Sequence, residues 1–260
     1  MMPVIESVKA SVHGTKAAVN LYAILRNLEE LCRLDPASIA LIQGKRNTIR
    51  FKIRGGPAAD LVIADGNVSM QEPAGASSIL LYFRSPEHLN KMIEGKANPI
   101  PLRGLSRLGF LTTDFTKLTQ RLEYYLRPDE GLLKDADYFA IHTRLLLNTA
   151  AYAVACIGNY DETGRRIAAR IPDGIISISI EESGQQVFLH ALKGRLQAMK
   201  SAPAAPSAYM VFDTVQSAND VLSENADVHE LIVTERLKLK GMLPMIQHMN
   251  DILARVPQFV

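Results

Sequence analysis

Tryptophan is missing from this 260-residue chain, and its eight Tyr and eight Phe are not interleaved with any basic stripe. Charge of one sign is lacking as well. The net charge is only +2, and the Lys and Arg are scattered rather than clustered. A dedicated polyanion surface needs a concentrated positive field, so nucleic acid is excluded as an expected partner. Cysteine is scarce: Cys32 and Cys156 make neither a disulfide framework nor a metal pattern. Each sits in the apolar stretch that opens its half of the chain, where a buried, inert thiol is expected. The start, MMPVIESVKASVHG, has no charged segment leading into an apolar run, so no secretory signal is expected. The longest apolar run, Leu145–Ile157, is 13 residues and contains Asn148 and Thr149. That is short for a bilayer and reads as a buried helix. The expected location is cytoplasmic.

Catalytic signatures are lacking too. The chain contains no phosphate-loop glycine spacing, no Gly-x-Ser-x-Gly elbow and no His-Glu-x-x-His pair. Its six histidines, His13, His88, His142, His190, His229 and His248, are dispersed. His229-Glu230 puts a histidine beside a carboxylate, in a segment that reads as loop and as a solvated pair. Gly55-Gly56-Pro57 joins two strands rather than a strand and a helix N-terminus, so it reads as a turn and not a phosphate cradle. No catalytic residue, metal or cofactor is expected.

What is present is repetition. Residues 78–112 and 207–241 run in register without a gap at an offset of 129 residues. Phe83 falls on Phe212, Asn90 on Asn219, Ala97 on Ala226, Leu102 on Leu231, and Arg107-Leu108 on Arg236-Leu237. A unit of this length is a small domain rather than a solenoid repeat, which predicts a tandem duplication. The polar, turn-rich Arg127–Gly131 marks the junction, giving domains over 1–130 and 131–260.

Each half shows the same order of patterns. In the first, Leu21, Ile24, Leu25, Leu28, Leu31 and Cys32 share one helical face, which Asp35-Pro36 stops. Ile49, Phe51 and Ile53 alternate with Arg50, Lys52 and Arg54 as a strand with one wet face. Asp65-Gly66 predicts a tight hairpin between strands 60–64 and 68–70. Ile79–Phe83 reads as a central strand, and Ser85 with Pro86 as the start of a helix ending near Gly95. A strand is expected over Arg107–Leu111, then a helix capped by Thr113 or Asp114 with Phe115, Leu118, Leu122, Tyr125 and Leu126 inward. In the second half an apolar helix is expected over 139–157. A strand over Ile176–Ile180, a hairpin at Lys193-Gly194, a Thr214-capped helix, a strand with Leu237 and Leu239, and a helix from Pro244 follow. That last helix carries Met242, Met245, Ile246, Met249, Ile252, Leu253 and Val256 as an unbroken apolar stripe. Methionine there suits irregular hydrocarbon shapes as well as a core.

DLVIADGNVSM (60–70), SSILLYFRSPEHLNKMIEGK (77–96), LSRLGFL (105–111) and the second-half segment 207–253 together make the chain resemble the sterol carrier protein 2 family. The second half departs from that pattern, with Lys193-Gly194 for Asp-Gly and Thr-Val-Gln for Ser-Pro-Glu. The first half departs at Thr112-Thr113-Asp114, where a glycine-containing turn is expected. The resemblance implies an α/β fold of the α+β type: two sterol-carrier-like domains, each a largely antiparallel five-stranded sheet covered on one face by helices. It implies non-catalytic binding or transfer of a fatty acyl, sterol-like or other lipid in an apolar tunnel between sheet and helices. Two alternatives stay open: a scaffold with a filled tunnel that pairs with an enzyme, and an enzyme acting on a hydrophobic substrate held in the cavity. The expected partner is a hydrophobic small molecule or lipid, with at most transient membrane contact. Candidate wall residues in the first half are Ile49, Phe51, Leu61, Ile63, Leu81, Phe83, Phe110, Phe115 and Leu118. Those in the second are Ile176, Ile178, Leu189, Met210, Phe212, Leu239, Met242, Met245, Ile246 and Met249. The second half, with its methionine-lined helix, is expected to be the better binder.

Overall fold

The computed structural model of the chain describes residues 11–260. The expectation made on the first ten residues lies outside that range. The chain divides into two compact units, one ending at Ile141 and the other running His142–Val260.

In the first unit, helix α1 (Val12–Val19) starts at Ser11, whose hydroxyl accepts from the Gly14 amide at 3.0 Å. It continues through a π-helical turn (Asn20–Ile24) and a 3-10 turn (Leu25–Asn27) into α2 (Leu28–Leu34). Leu21, Leu25, Leu28, Leu31 and Cys32 are buried along this path, and Ile24 is half-buried. Asp35-Pro36 ends α2 and also opens a further helix that the sequence did not announce, α3 (Pro36–Ile42). Asp35 caps it by accepting from the Ser38 amide at 3.0 Å, and proline fits the first helical position because it has no N–H to satisfy.

Strands β1 (Asn47–Ile53), β2 (Ala58–Ala64), β3 (Asn67–Gln71), β4 (Ile79–Phe83) and β5 (Ile100–Arg103) form one sheet in the order β3-β2-β1-β4-β5. The sheet is mixed: β1 and β4 run parallel, and the other neighbours are antiparallel. The hairpin forms as its dipeptide demands, with Asp65 at φ 53° and Gly66 at φ 76°. Helix α4 (Pro86–Ile93) is capped by the Ser85 hydroxyl.

The strand expected over Arg107–Leu111 is not there. The strand is β5, which ends at Arg103 before the expected one begins, and residues 105–115 are helical: a 3-10 turn, α5 (Leu108–Phe110) and a π turn leading into α6 (Thr116–Leu126). Leu105, Leu108, Leu111, Phe115, Leu118, Leu122 and Tyr125 recur every three or four residues, a helical period that overrides the short apparent alternation around Leu108. Thr113 and Asp114 are therefore inside a helix rather than at its cap. Gly104, at φ 87°, separates strand from helix; a Cβ there would meet the Ser78 carbonyl oxygen at 2.6 Å.

In the second unit, α7 (Ala136–Tyr160) crosses the division between units and is longer than the 139–157 expected. By length and composition it could cross a membrane, but 72% of the qualifying stretch is buried, as in the core helix of a folded domain. Helix α8 (Glu162–Ala168) follows, and then β6 (Gly174–Ile180), β7 (Gln185–Leu192), β8 (Arg195–Met199), β9 (Ala208–Phe212), α9 (Val215–Leu222), α10 (Val228–Val233), β10 (Leu237–Gly241) and α11 (Leu243–Leu253). The sheet order is β10-β9-β6-β7-β8, with β6 and β9 parallel. Lys193 and Gly194 take positive φ of 50° and 72°, the same pair of conformations as Asp65-Gly66. His229-Glu230, read as loop, lies in the short helix α10, which Asp227 caps.

The two sheets have one strand order, but the uninterrupted offset does not hold to its end. It relates β4 to β9 and α4 to α9, at 129 residues. After that, α10 intervenes in the second unit, and Leu102-Arg103-Gly104-Leu105 corresponds to Leu239-Lys240-Gly241-Met242, at 137. The pairings fix this correspondence: Leu80 faces Arg103, and Tyr209 faces Lys240. Gly241 repeats the role of Gly104, at φ 81° with a would-be Cβ 2.3 Å from the Ser207 carbonyl oxygen. The matches of Ala97, Leu102 and Arg107-Leu108 at 129 are thus coincidental.

Candidate functional site

Ile49, Phe51, Leu61, Ile63, Leu81 and Phe83 all fall on one face of the first sheet and are buried there. Phe51 and Phe83 stack at 6.3 Å between ring centroids with 9° between planes. Leu118 of α6 is also fully buried. Phe110 and Phe115 are set apart from this group by being half-buried. They lie 6.4 Å from each other, and the Lys45 ammonium sits 5.8 Å from the Phe110 ring while pairing with Asp114.

Polar ties hold the helices to this sheet. Asn90 of α4, buried, accepts from the Asn20 side chain at 3.0 Å and donates to the His13 carbonyl at 3.1 Å. In the second unit Asn219 of α9, at the same place in the strand–helix pattern, donates to Thr143 at 3.0 Å. Glu29 accepts from the Met70 amide at 2.6 Å, so α2 occupies a backbone donor of the edge strand β3.

In each unit an arginine in or just after the closing helix grips an aspartate that caps an earlier helix, Asp35 of α3 or Asp161 of α8. Arg121 grips Asp35 with two bonds, 2.7 and 3.0 Å. Arg255 reaches Asp161, the cap of α8, at 2.9 and 3.1 Å. Burial pushes the Asp35 carboxyl up, but the bonds from Arg121 and Ser38 and the Arg121 charge outweigh it, holding the group below the usual carboxylate range. Tyr124, Tyr125 and Tyr138 pack around the clamp at 4.9 to 5.2 Å, with Arg121 over two of the rings. Burial, then the neighbouring tyrosines, push the Tyr138 hydroxyl up to about 12. Burial and then the Asp35 charge push the Cys32 thiol up to about 12, so little thiolate forms at neutral pH. None of the sequence patterns pointed to these clamps. Their one trace is Asp before a helix start in both halves, Asp35-Pro36 and Asp161-Glu162.

On the second sheet Ile176, Ile178, Leu189, Met210 and Phe212 share the corresponding face and are buried. Met245, Ile246 and Met249 of α11 are buried with them, and the Met245 methyl comes within 3.3 Å of where a Cβ on Gly174 would lie. Leu239, on the same face of edge strand β10, is only half-buried, and Met242 is exposed. Leu239 and Ile246, together with Leu243, Gln247, Asn250 and Asp251, line an open groove of about 280 Å³ between β10 and α11. Its lining is aliphatic at Leu239, Leu243 and Ile246 and polar at Gln247, Asn250 and Asp251. Sequence reasoning named Leu239 and Ile246 but not Leu243, Gln247, Asn250 or Asp251, which lie off the apolar stripe of α11. Among the described residues no group of three or more His, Cys, Asp or Glu is placed to hold a metal ion.

No family model matches the chain, and no curated protein does. Solved structures do. The sterol carrier protein domain 2 of Helicoverpa armigera is 11% identical with a TM-score of 0.35, covering 43% of this chain and 87% of that one. The palmitated sterol carrier protein 2-like protein of Aedes aegypti is 14% identical with a TM-score of 0.32, covering 42% and 90%. The sec-alkylsulfatase Pisa1 of a Pseudomonas species is 14% identical with a TM-score of 0.28, covering 57% of this chain but 28% of its own. What the structure itself shows is an α/β fold of the α+β type, with two five-stranded mixed sheets and helices.

Proposed function

We propose that this chain binds a hydrophobic ligand, an acyl chain or a lipid of similar girth, in its second unit between β10 and α11, and carries it without chemical change. One observation carries the reading: the groove of about 280 Å³ lined by Leu239, Leu243 and Ile246 together with Gln247, Asn250 and Asp251. That volume is at the lower edge of the roughly 300–1,000 Å³ typical of ligand pockets. The wall that must yield to a longer chain is α11, whose buried face is built from Met245, Ile246 and Met249. Methionine repacks around irregular apolar shapes more readily than branched side chains do. Each buried methylene contributes about 0.8 kcal/mol, so affinity comes from length of hydrocarbon rather than from a fixed polar set. The first unit serves a second role in this reading, as a filled domain: its inner face is closed by the Phe51–Phe83 stack.

The two units are further proposed to be copies of one domain, over 1–130 and 131–260, which keeps α7 whole as the first helix of the second copy. The shared strand order, the paired Asp–Arg clamps and the paired Gly104 and Gly241 turns support this.

Titration of the full chain with a fluorescent sixteen-carbon fatty acid tests the ligand. Leu243 is 54% exposed, so Leu243→Asp leaves the core untouched while placing charge on the groove lining. The variant is expected to bind at least about ten-fold more weakly, the worth of one buried leucine, at an unchanged Tm, with the fatty acid recovered chemically intact. A parent chain that does not bind, or a Leu243→Asp chain that binds as well, overturns the assignment.

A further inference from the structure

We propose that the corner of the first unit after β5 is a docking surface for an anionic lipid membrane. Three leucines stand in the open within seven residues there: Leu102 at 57% exposure, Leu105 at 65% and Leu108 at 37%. They are placed outward by construction. Gly104 turns the chain with φ 87° against the Ser78 carbonyl, where a Cβ would lie 2.6 Å from the oxygen, and the helical turn that follows leaves Leu105 and Leu108 exposed.

Single exposed leucines are ordinary, but along the chain this group alternates with exposed cations. Arg103 lies between the first two leucines and is exposed, and Arg107 lies between the second and third. Arg107 donates to the Arg46 carbonyl at 3.0 Å and to Asn47 at 2.6 Å, which brings the Arg46 residue to the same corner. Of the residues tied to this corner, Arg46 pairs with Asp65, and the neighbouring Lys45 pairs with Asp114. Four cations stand against two anions, and the excess lies beside the apolar surface. That combination matches the interface of a bilayer with acidic headgroups, into which leucines insert while arginines meet phosphates.

The second unit supplies an internal contrast. Its matching corner also exposes apolar residues, Met242 and Leu243, after a strand-ending glycine. However, α10 packs against β10 there and brings Asp227 and Glu230, and Lys238 is paired with Glu181. Lys240 stands where Arg103 does, but Pro244 stands where Arg107 does, so the second corner has one cation fewer as well as the acids of α10, and membrane docking is assigned to the first corner alone. The inference does not depend on a ligand in the second unit.

Co-sedimentation of the full chain with vesicles of phosphatidylcholine, with and without phosphatidylserine, tests it. Binding is expected only with phosphatidylserine, and it should weaken as salt rises. Arg103→Glu should reduce the bound fraction at least about five-fold, since each basic residue near an acidic surface is worth roughly that factor. Leu105→Asp should reduce it about ten-fold or more, and Met242→Asp should leave it unchanged. All three sites are exposed, and an unchanged Tm of the free variants shows that folding is intact. Three outcomes overturn the proposal: no binding to acidic vesicles, equal binding to neutral ones, or equal losses from Met242→Asp and Leu105→Asp. So does a Leu105→Asp chain whose vesicle binding is intact but whose free form has lost self-association, which marks the corner as a contact between copies.

Discussion

Asp35 does three things with one carboxylate: it caps α3, bonds Ser38 and anchors Arg121 of the closing helix. Its side chain is nearly buried, while Arg121 keeps a third of its surface in water. Removing one partner of a buried pair costs about 3–5 kcal/mol, and solvent on the arginine lowers that. Asp35→Ala is therefore expected to cost about 2–4 kcal/mol by urea unfolding, with the lost cap included. Arg127→Ala, which breaks an exposed pair with Glu123, should cost under about 0.5 kcal/mol. The sign of the pH effect follows from the direction of the shift. The folded carboxyl titrates below the unfolded one, so its stabilisation is complete above the ordinary carboxylate range and is lost as pH falls through the folded value. The stability gap between parent and Asp35→Ala should accordingly shrink on acidification and stay flat from pH 6 to 8.

Among the elements, the glycines that end β5 and β10 are the sharpest test of the revised correspondence. At Gly104 and Gly241 a methyl group would lie 2.6 and 2.3 Å from a backbone carbonyl oxygen, at positive φ. Neither partner can move without disturbing β4 or β9. Gly104→Ala and Gly241→Ala should each destabilise by about 2 kcal/mol or more. Gly109, inside a helical turn with nothing within 4 Å, provides the control: Gly109→Ala should stabilise by about 0.5–1 kcal/mol. These elements also show what the sequence could and could not reveal. Ile49, Phe51 and Ile53 alternating with charges, Asp65-Gly66, and Ser85-Pro86 encode strand, hairpin and helix start within a few residues, and each forms where its pattern lies. β5 was hidden because it holds only four residues with Pro101 in it, an edge-strand sequence with no periodic signature. Helix α10 was hidden because Asp227-Val228-His229 reads as polar surface until its cap is seen. The groove was half legible. Leu239 and Ile246 follow from apolar period, whereas Leu243, Gln247, Asn250 and Asp251 lie off that period and join the groove only through the packing of α11 beside β10.

At the scale of the whole molecule, two units share a strand order and a clamp but differ in how their inner faces are filled. The first stacks Phe51 on Phe83; the second places methionines on its closing helix and leaves a groove at its edge. A chain built this way should take up one hydrophobic ligand, not two. The most direct measurement is native mass spectrometry of the full chain incubated with palmitate, alongside Asn250→Trp. Asn250 is half-buried on the groove wall, and an indole there fills the space without entering the core. The account predicts one palmitate per parent chain and none on the folded Asn250→Trp chain. Two palmitates per chain, none on the parent, or one retained by Asn250→Trp would contradict it.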